Sequence, residues 1–116
     1  EPRDVEAATL HVGAVVEGEI VACASFYLAP YGEDGEARQL RFMAVDPQWQ
    51  GRGLGARVLG DGERRLRESG TRTLWANARD SALGFYVAQG WTALAGTEFL
   101  SAETRLPHTV IVKRLG

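Results

Sequence analysis

The sequence has a single cysteine and no apolar run long enough to cross a membrane. Cys23 is the only cysteine among 116 residues, so an internal disulfide is excluded and a stapled secreted scaffold is not indicated. No stretch of about eighteen apolar residues occurs, and the chain does not open with a signal-peptide pattern. These absences predict a cytoplasmic protein in which Cys23 is a buried structural residue.

An excess of charge of one sign is also lacking. The formal net charge is −2 at pH 7, and Lys113 is the only lysine among 13 basic residues. This balance gives no general attraction to nucleic acid or to an anionic membrane, so neither is expected as a partner. What is present is ordinary for a globular protein, with 45% hydrophobic and 24% charged residues. The length predicts one domain spanning residues 1–116.

The apolar pattern predicts six strands and two helices. Segments rich in β-branched residues predict strands at 9–16, 20–28, 40–45, 71–76, 91–94 and 106–115, with a connecting segment at 96–105. A helix is predicted over 54–69 with Gly70 as its C-terminal cap, and a shorter one is capped by Asp80 or Ser81 and ended by Gly90. The order β-β-β-α-β-α-β-β predicts an α/β fold, with a mixed, mostly antiparallel central sheet and helices packed on it.

The long predicted helix is amphipathic. Its apolar side chains share one face, which is expected to pack on the sheet: Leu54, Val58, Leu59 and Leu66. Charged side chains cover much of the other face, where we expect them to be exposed: Arg57, Glu63, Arg64, Arg67 and Glu68.

A glycine-rich loop, residues 50–55, joins the third predicted strand to the long helix. Glycine has no Cβ, so successive backbone N–H groups can turn towards one point. The start of the following helix adds unpaired N–H groups and the positive end of its dipole. The loop therefore predicts a site for a phosphate or pyrophosphate, to which Arg52 and Arg57 can add charge-assisted contacts.

Three interpretations of this loop compete, and the first is a turn without a ligand. The second is a dinucleotide-binding fingerprint, because Gly51, Gly53 and Ala56 fit G-x-G-x-x-A. It fits poorly, because that motif follows the first strand of a longer βαβ series and needs an acidic residue near the position of Asn77. A P-loop is excluded, since no Gly-Lys-Ser/Thr follows the glycines.

The third interpretation is a resemblance to the GNAT superfamily of acetyltransferases. Its signature, Gln/Arg-x-x-Gly-x-Gly/Ala, stands here as residues 50–55. The stretch from Arg41 to Gly55 resembles the whole central motif of that family, including Asp46-Pro47 before the loop. The stretch from Asn77 to Trp91 is similar to the family's next block, an Ala-x-x-Phe-Tyr helix that ends in Gly-aromatic. The resemblance spans roughly residues 9–115.

The resemblance implies an acetyl-CoA-dependent N-acetyltransferase that moves acetyl directly to a primary amine of a small molecule or peptide. In this family two neighbouring strands diverge, and the pantetheine arm of the co-substrate lies between them. The backbone of three residues would bind this arm: Met43, Ala44 and Val45. The pyrophosphate would bind the loop and the helix start: Gln50, Gly51, Arg52, Gly53, Leu54, Gly55 and Ala56. Asn77, at the end of the opposite strand, would bind the arm or the substrate, a capping or turn role being its alternative.

The resemblance also implies catalytic roles. A tyrosine at the Phe-Tyr position often protonates the leaving thiolate, and here it is Tyr86, which would also contact the cofactor. The alternative for Tyr86 is a core aromatic with its hydroxyl hydrogen-bonded. His108 is a candidate general base, because an imidazole can accept a proton near neutral pH, and Glu98 is a second candidate. Many family members use a water chain instead, and no metal ligand is expected.

Two further expectations concern the N-terminus and partners. Most family members carry a strand and one or two helices before the first hairpin, whereas eight residues precede Thr9 here, so this region is expected to be short or missing. Either a segment is absent from the sequence, or the acceptor groove is unusually open, or a second subunit closes it; a homodimer is the prediction. The alternative function is a non-catalytic acyl-CoA-binding module.

Overall fold

Seven strands and two helices make up residues 9–116, the part of the chain that the computed structural model describes. The strands are β1 Leu10–Val16, β2 Glu19–Leu28, β3 Arg38–Val45, β4 Thr73–Arg79, β5 Thr92–Ala93, β6 Phe99–Leu100 and β7 Pro107–Arg114. The helices are α1 Leu54–Glu68 and α2 Leu83–Ala88, with 3-10 turns at Pro47–Trp49 and Asp80–Ala82. The predicted α/β fold is confirmed. The short or missing N-terminal region lies outside the described residues.

The sheet is antiparallel except where β3 meets β4. Its order is β1-β2-β3-β4-β7-β5, and β6 also pairs with β7. β3 and β4 run parallel and pair only through Arg38–Leu74 and Gln39–Trp75, near the start of both strands. Beyond these two pairs the strands no longer form a ladder with each other, so a gap opens between their carboxyl ends. The mixed, mostly antiparallel sheet predicted from the element order is confirmed.

A β-bulge in β3 changes which of its residues face the core. The register between β2 and β3 shifts at Arg41, which is the extra residue of the bulge. Leu40 is in the core before the bulge, whereas Met43 and Val45 pack against the core after it. Phe42, which strict alternation would bury, is 55% exposed. The bulge therefore decides which side chains of β3 border the gap.

Helix α1 approaches β2 closely at a glycine. Gly62 is buried, and a Cβ at this position would overlap the buried ring of Phe26, 2.9 Å from its Cζ. At Gly60, also within α1, a Cβ would meet nothing within 4 Å. The two glycines therefore have different reasons for being in a helix.

Alanine substitutions at these two positions should have opposite effects. Gly60→Ala fills open space, so we expect the free energy of unfolding to rise by about 0.5–1 kcal/mol. Gly62→Ala overpacks the core against Phe26, so we expect it to fall by about 1–3 kcal/mol. Chemical denaturation of both variants and the parent chain measures the two changes. Equal stability of the two variants would contradict the close packing at Gly62.

The prediction that Glu63 lies on the exposed face of the long helix was wrong. Glu63 is buried, and its Oε1 accepts a hydrogen bond from Nζ of Lys113 at 2.6 Å. Its Oε2 accepts one from Nε1 of Trp91 at 3.0 Å, and Lys113 also donates to the backbone carbonyl of Gln89 at 2.8 Å. A buried carboxylate needs such partners. They lie 28 and 50 residues further along the chain, where helical periodicity cannot reveal them.

Both helices end at the predicted glycines, Gly70 and Gly90, which have φ of 98° and 92°. In each case the next N–H donates back to a carbonyl of the last helical turn, as in a Schellman motif. The expected burial of Cys23 is not borne out, since this residue is only half-buried. Within residues 9–116, neither helix is long and apolar enough to span a membrane.

Three other local predictions were wrong. Neither Asp80 nor Ser81 caps α2, because the carboxylate of Asp80 instead accepts a hydrogen bond from the hydroxyl of Thr109 at 2.7 Å. β4 continues to Arg79, three residues past its predicted end, because it pairs with β7 along its whole length. The segment 96–105 was predicted to be only a connection, but it contains the strand β6, which pairs with the start of β7.

Candidate active site

A cavity of about 600 Å³ lies beside the part of β3 that has no partner in β4. Its lining comes from β3, the glycine loop, the start of α1 and α2. It includes all the predicted cofactor-binding residues except Arg52 and Asn77, namely Met43, Ala44, Val45, Gln50, Gly51, Gly53, Leu54, Gly55, Ala56 and Tyr86. Within residues 9–116 the lining also includes Trp49, Ala82, Phe85 and Gln89, which were not predicted from the sequence. Phe85 and Gln89 are one helical turn apart, which is the signal that could have indicated them.

Positive φ angles shape the glycine loop. Gly51 and Gly53 have φ of 78° and 77°, which other L-residues rarely adopt, and a Cβ at either would meet nothing within 4 Å. Glycine is therefore required here by backbone conformation and by access to the loop, not by packing. Gly53 is the N-cap of α1, and no side chain caps this helix start. Its first N–H groups are thus free for an anion.

Gly55 has the opposite surroundings. A Cβ at this position would lie 3.2 Å from Cε of Met43 and 3.5 Å from Cγ2 of Val45. The absence of a side chain lets the start of α1 lie close to β3. The loop and the strand edge therefore form one continuous wall of the cavity.

The two arginines near the loop lie apart from this wall. Arg52 does not line the cavity, and its guanidinium carbon is 4.7 Å from the centroid of the Trp49 ring. Arg57 lines a separate groove between α1 and β1, together with Asp61. A contact from either arginine to an anion in the loop stays a prediction.

A second cavity, of about 550 Å³, adjoins the first at the gap, and Met43, Ala82 and Tyr86 line both. Its polar and charged lining consists of Arg41, Asn77, Arg79, Ser101, Glu103, Thr104 and His108. Asn77 is inside β4, not at its end as predicted, because the strand continues to Arg79. Ending β4 too early is also why Arg79 was missed. Side chains two residues apart on a strand share a face, so the spacing between Asn77 and Arg79 could have indicated that Arg79 lines the same cavity.

Tyr86 lies where the two cavities meet. It is 9% exposed and its ring packs edge-on against those of Phe85 and Trp91, with centroids 5.1 and 5.7 Å away. In the described part of the chain its hydroxyl has no hydrogen-bond partner, and it is not enclosed. Burial raises the pKa of this phenol above its usual value of 10.0, so the hydroxyl is protonated at neutral pH and can donate. The alternative of a core tyrosine with a hydrogen-bonded hydroxyl does not describe this residue.

His108 is held in the second cavity by two neighbours. Its Nδ1 lies 2.9 Å from the backbone carbonyl oxygen of Leu106, and its ring stacks on Phe99 with centroids 5.5 Å apart. A carbonyl oxygen only accepts, so Nδ1 carries the hydrogen, and Nε2 of the neutral imidazole is free to accept a proton. Glu98, the other predicted base, is exposed and lines neither cavity. Among residues 9–116 no three His, Cys, Asp or Glu side chains form a group suited to a metal ion.

Comparison with known proteins identifies the family of this chain. The model of the acetyltransferase (GNAT) family matches residues 2–91. The chain belongs to the GNAT family. Residues 50–55 and their surroundings, which resemble the GNAT signature, lie inside the matched region. Membership supports N-acetyltransferase activity at the level of the family.

A curated relative and two solved structures agree with this assignment. The uncharacterized N-acetyltransferase YitI of Bacillus subtilis (strain 168) is 31% identical over 88 residues, which are 74% of this chain and 59% of the relative. The chain thus spans less than two thirds of that relative. An aminoglycoside 6′-N-acetyltransferase complexed with coenzyme A has a TM-score of 0.79 at 14% identity, over 94% of this chain and 74% of the other. The ribosomal-protein-S18-alanine N-acetyltransferase of Escherichia coli has a TM-score of 0.76 at 21% identity, over 94% of this chain and 70% of the other. These two likenesses show that the fold is that of GNAT proteins.

Proposed function

We propose that this GNAT protein transfers the acetyl group of acetyl-CoA directly to a primary amine of a small molecule or peptide. The observation that carries the proposal is the meeting of two cavities at Tyr86, one lined by the glycine loop and the other by polar side chains. Direct transfer needs a donor and an acceptor bound at once, on either side of one reaction centre. Two adjoining cavities with a shared phenol satisfy this requirement.

Acetyl-CoA as co-substrate suits the first cavity. Its pyrophosphate would bind the backbone N–H groups of the glycine loop and of the start of α1, which have no side-chain cap. Its pantetheine amides would bind the backbone of Met43 to Val45, where β3 has no partner in β4, in the manner of an added strand. The coenzyme A in the aminoglycoside 6′-N-acetyltransferase structure further supports this choice.

Acyl transfer from a thioester requires an acceptor amine without its extra proton, a stabilised oxyanion and a proton for the leaving sulfur. We assign the last task to the hydroxyl of Tyr86, which is protonated and free of partners in residues 9–116, on a residue that lines both cavities. We assign the first task to Nε2 of His108. This nitrogen can accept a proton, because the carbonyl oxygen of Leu106 holds the hydrogen of the imidazole on Nδ1. Glu98 is given no role, because it lines neither cavity.

A thermal-shift measurement with acetyl-CoA, NADH and ATP, each at about 1 mM, tests the cofactor. If acetyl-CoA binds with a Kd of about 10 μM, saturation stabilises the chain by about 2.7 kcal/mol and raises Tm by roughly 10 °C. We expect a rise with acetyl-CoA alone. A rise with NADH alone would replace the proposal by the dinucleotide interpretation. A rise with acetyl-CoA but no acetylation of any amine would favour a non-catalytic acyl-CoA-binding module.

His108→Gln should lower kcat/KM by about 100-fold, the lower end for general acid–base catalysis, since water can partly replace the imidazole in an open cavity. Glutamine can still hydrogen-bond but cannot take up a proton at neutral pH. Initial rates at saturating acetyl-CoA measure the loss. His11→Gln is the matched control, because His11 is on β1 and lines neither cavity. An equal effect in both variants would remove His108 from the base role.

Two other expectations stay predictions. Light scattering at high micromolar concentration tests the homodimer, and a clean monomer would contradict it. Fractionation of the source cells tests the cytoplasmic location.

A further inference from the structure

We propose that the acceptor is an amino acid, or a similar small amine with a carboxylate a few atoms from its amino group, and that Arg79 binds this carboxylate. The inference rests on the proposed function and names the class of substrate for the second cavity. It is carried by the charges that line this cavity, by the lack of any partner for Arg79 in residues 9–116, and by the position of Arg79 beside His108.

The charges of the second cavity favour an acceptor with an anionic group. Among residues 9–116, the arginine and acidic residues that line it are Arg41, Arg79 and Glu103, so arginines outnumber acidic residues there. Glu103 can balance one ammonium group. A polyamine or an aminoglycoside would bring additional ammonium groups among the guanidiniums, and like charges in a binding site act against such a ligand. An acceptor with both an amine and a carboxylate matches these two kinds of charge in the cavity.

Arg79 is the arginine available to such a carboxylate. Throughout residues 9–116 its side chain makes no hydrogen bond, ion pair or ring contact, although it lines the cavity. Arg41 is already engaged: its Nε donates to Oε1 of Gln39 at 2.7 Å, and its guanidinium carbon lies 4.9 Å from the centroid of the Tyr27 ring. A guanidinium binds a carboxylate through two parallel hydrogen bonds, which is the contact that Arg79 can still make.

The register of β4 and β7 places Arg79 and His108 side by side. Arg79 and His108 are directly opposite each other in this antiparallel pair, so their side chains project from the same face of the sheet. The Cβ atoms of such partners are about 4.5–5.5 Å apart. An amine in reach of Nε2 of His108 and a carboxylate bound to Arg79 can therefore belong to one small molecule. An α-amino acid, with both groups on one carbon, is the smallest acceptor of this kind.

The test compares acetyl transfer to the free amino acids, to their carboxamides and to spermidine, with saturating acetyl-CoA and detection of products by mass spectrometry. For accepted amino acids we expect kcat/KM to exceed that of the matching carboxamide by about 10- to 100-fold, the range for hydrogen bonds to a charged group. Arg79→Gln should reduce this ratio to near one. Arg67→Gln, an exposed arginine of α1 outside both cavities, should keep it. The thermal shift with acetyl-CoA checks that both variants are folded.

Each contrary result has a distinct meaning. Carboxamides or spermidine acetylated as fast as the free amino acids would overturn the inference and leave the proposed function standing. A ratio that is unchanged in Arg79→Gln would overturn the role of Arg79. A thermal shift with acetyl-CoA but no acetylation of any of these amines would overturn the inference, whereas the proposed function would be overturned only if peptides and other primary amines were not acetylated either.

Discussion

Replacing Tyr86 with phenylalanine is expected to lower kcat by about 10²–10⁴-fold and to leave the affinity for acetyl-CoA nearly unchanged. The substitution removes one hydroxyl, and the ring can still pack against Phe85 and Trp91. That hydroxyl is the only part of the side chain able to donate a proton to a leaving thiolate. Steady-state rates and calorimetric titration with acetyl-CoA measure the two quantities separately.

The control and the pH profile make the Tyr86 test specific. Tyr31→Phe is the matched control, because Tyr31 packs against Trp75 and lines neither cavity. Since burial raises the pKa of the Tyr86 phenol above 10.0, the parent chain should lose the proton of this group, and the kcat that depends on it, only above pH 10. Unchanged kcat in Tyr86→Phe, or an equal loss in Tyr31→Phe, would remove the assigned role.

Gly53→Val is expected to weaken acetyl-CoA binding by at least about 100-fold, since several charge-assisted hydrogen bonds to the pyrophosphate would be lost. Gly53 has a φ of 77°, which a β-branched residue adopts only at a cost. A Cβ there would meet no protein atom within 4 Å, so its methyl groups would occupy the space in which the pyrophosphate is proposed to bind. Calorimetric titration with acetyl-CoA measures the loss.

Gly96→Val separates this effect from backbone strain. Gly96 has a similar φ of 84°, a Cβ there would also meet nothing within 4 Å, and it lines neither cavity. Both variants should lose stability to a similar degree, and only Gly53→Val should lose the cofactor. Equal affinity for acetyl-CoA in the two variants would show that the glycine loop is not the pyrophosphate site.

Features that depend on neighbouring residues were predictable from the sequence. The ends of both helices follow from Gly70 and Gly90, because a left-handed residue is a local requirement. The glycine loop and its cavity follow from residues 50–55 and from the strand and helix on either side. The GNAT family could be named for the same reason, since its motifs are continuous in sequence.

Features that depend on distant residues were not predictable. The burial of Glu63 needs Trp91 and Lys113, which periodicity along one helix does not reveal. The bulge at Arg41 arises from the register with β2, so the exposure of Phe42 has no local signal. The full length of β4 depends on β7, which is why Arg79 was not recognised as part of the second cavity. The side of the site that is proposed to bind the acceptor is thus the side that sequence patterns describe least.

The short pairing between β3 and β4 has a consequence for exchange of backbone hydrogens with solvent. After Gln39, the backbone groups of β3 that point towards β4 have no ladder partner there, so water or a ligand must satisfy them. Alternate amides over 43–45 should therefore exchange quickly in the free protein, although the strand lies in the middle of the sheet. Binding of a pantetheine arm would slow this exchange at alternate positions only, because the other amides already face β2. Deuterium uptake resolved to single residues would in this way map the arm on the protein without any catalytic turnover.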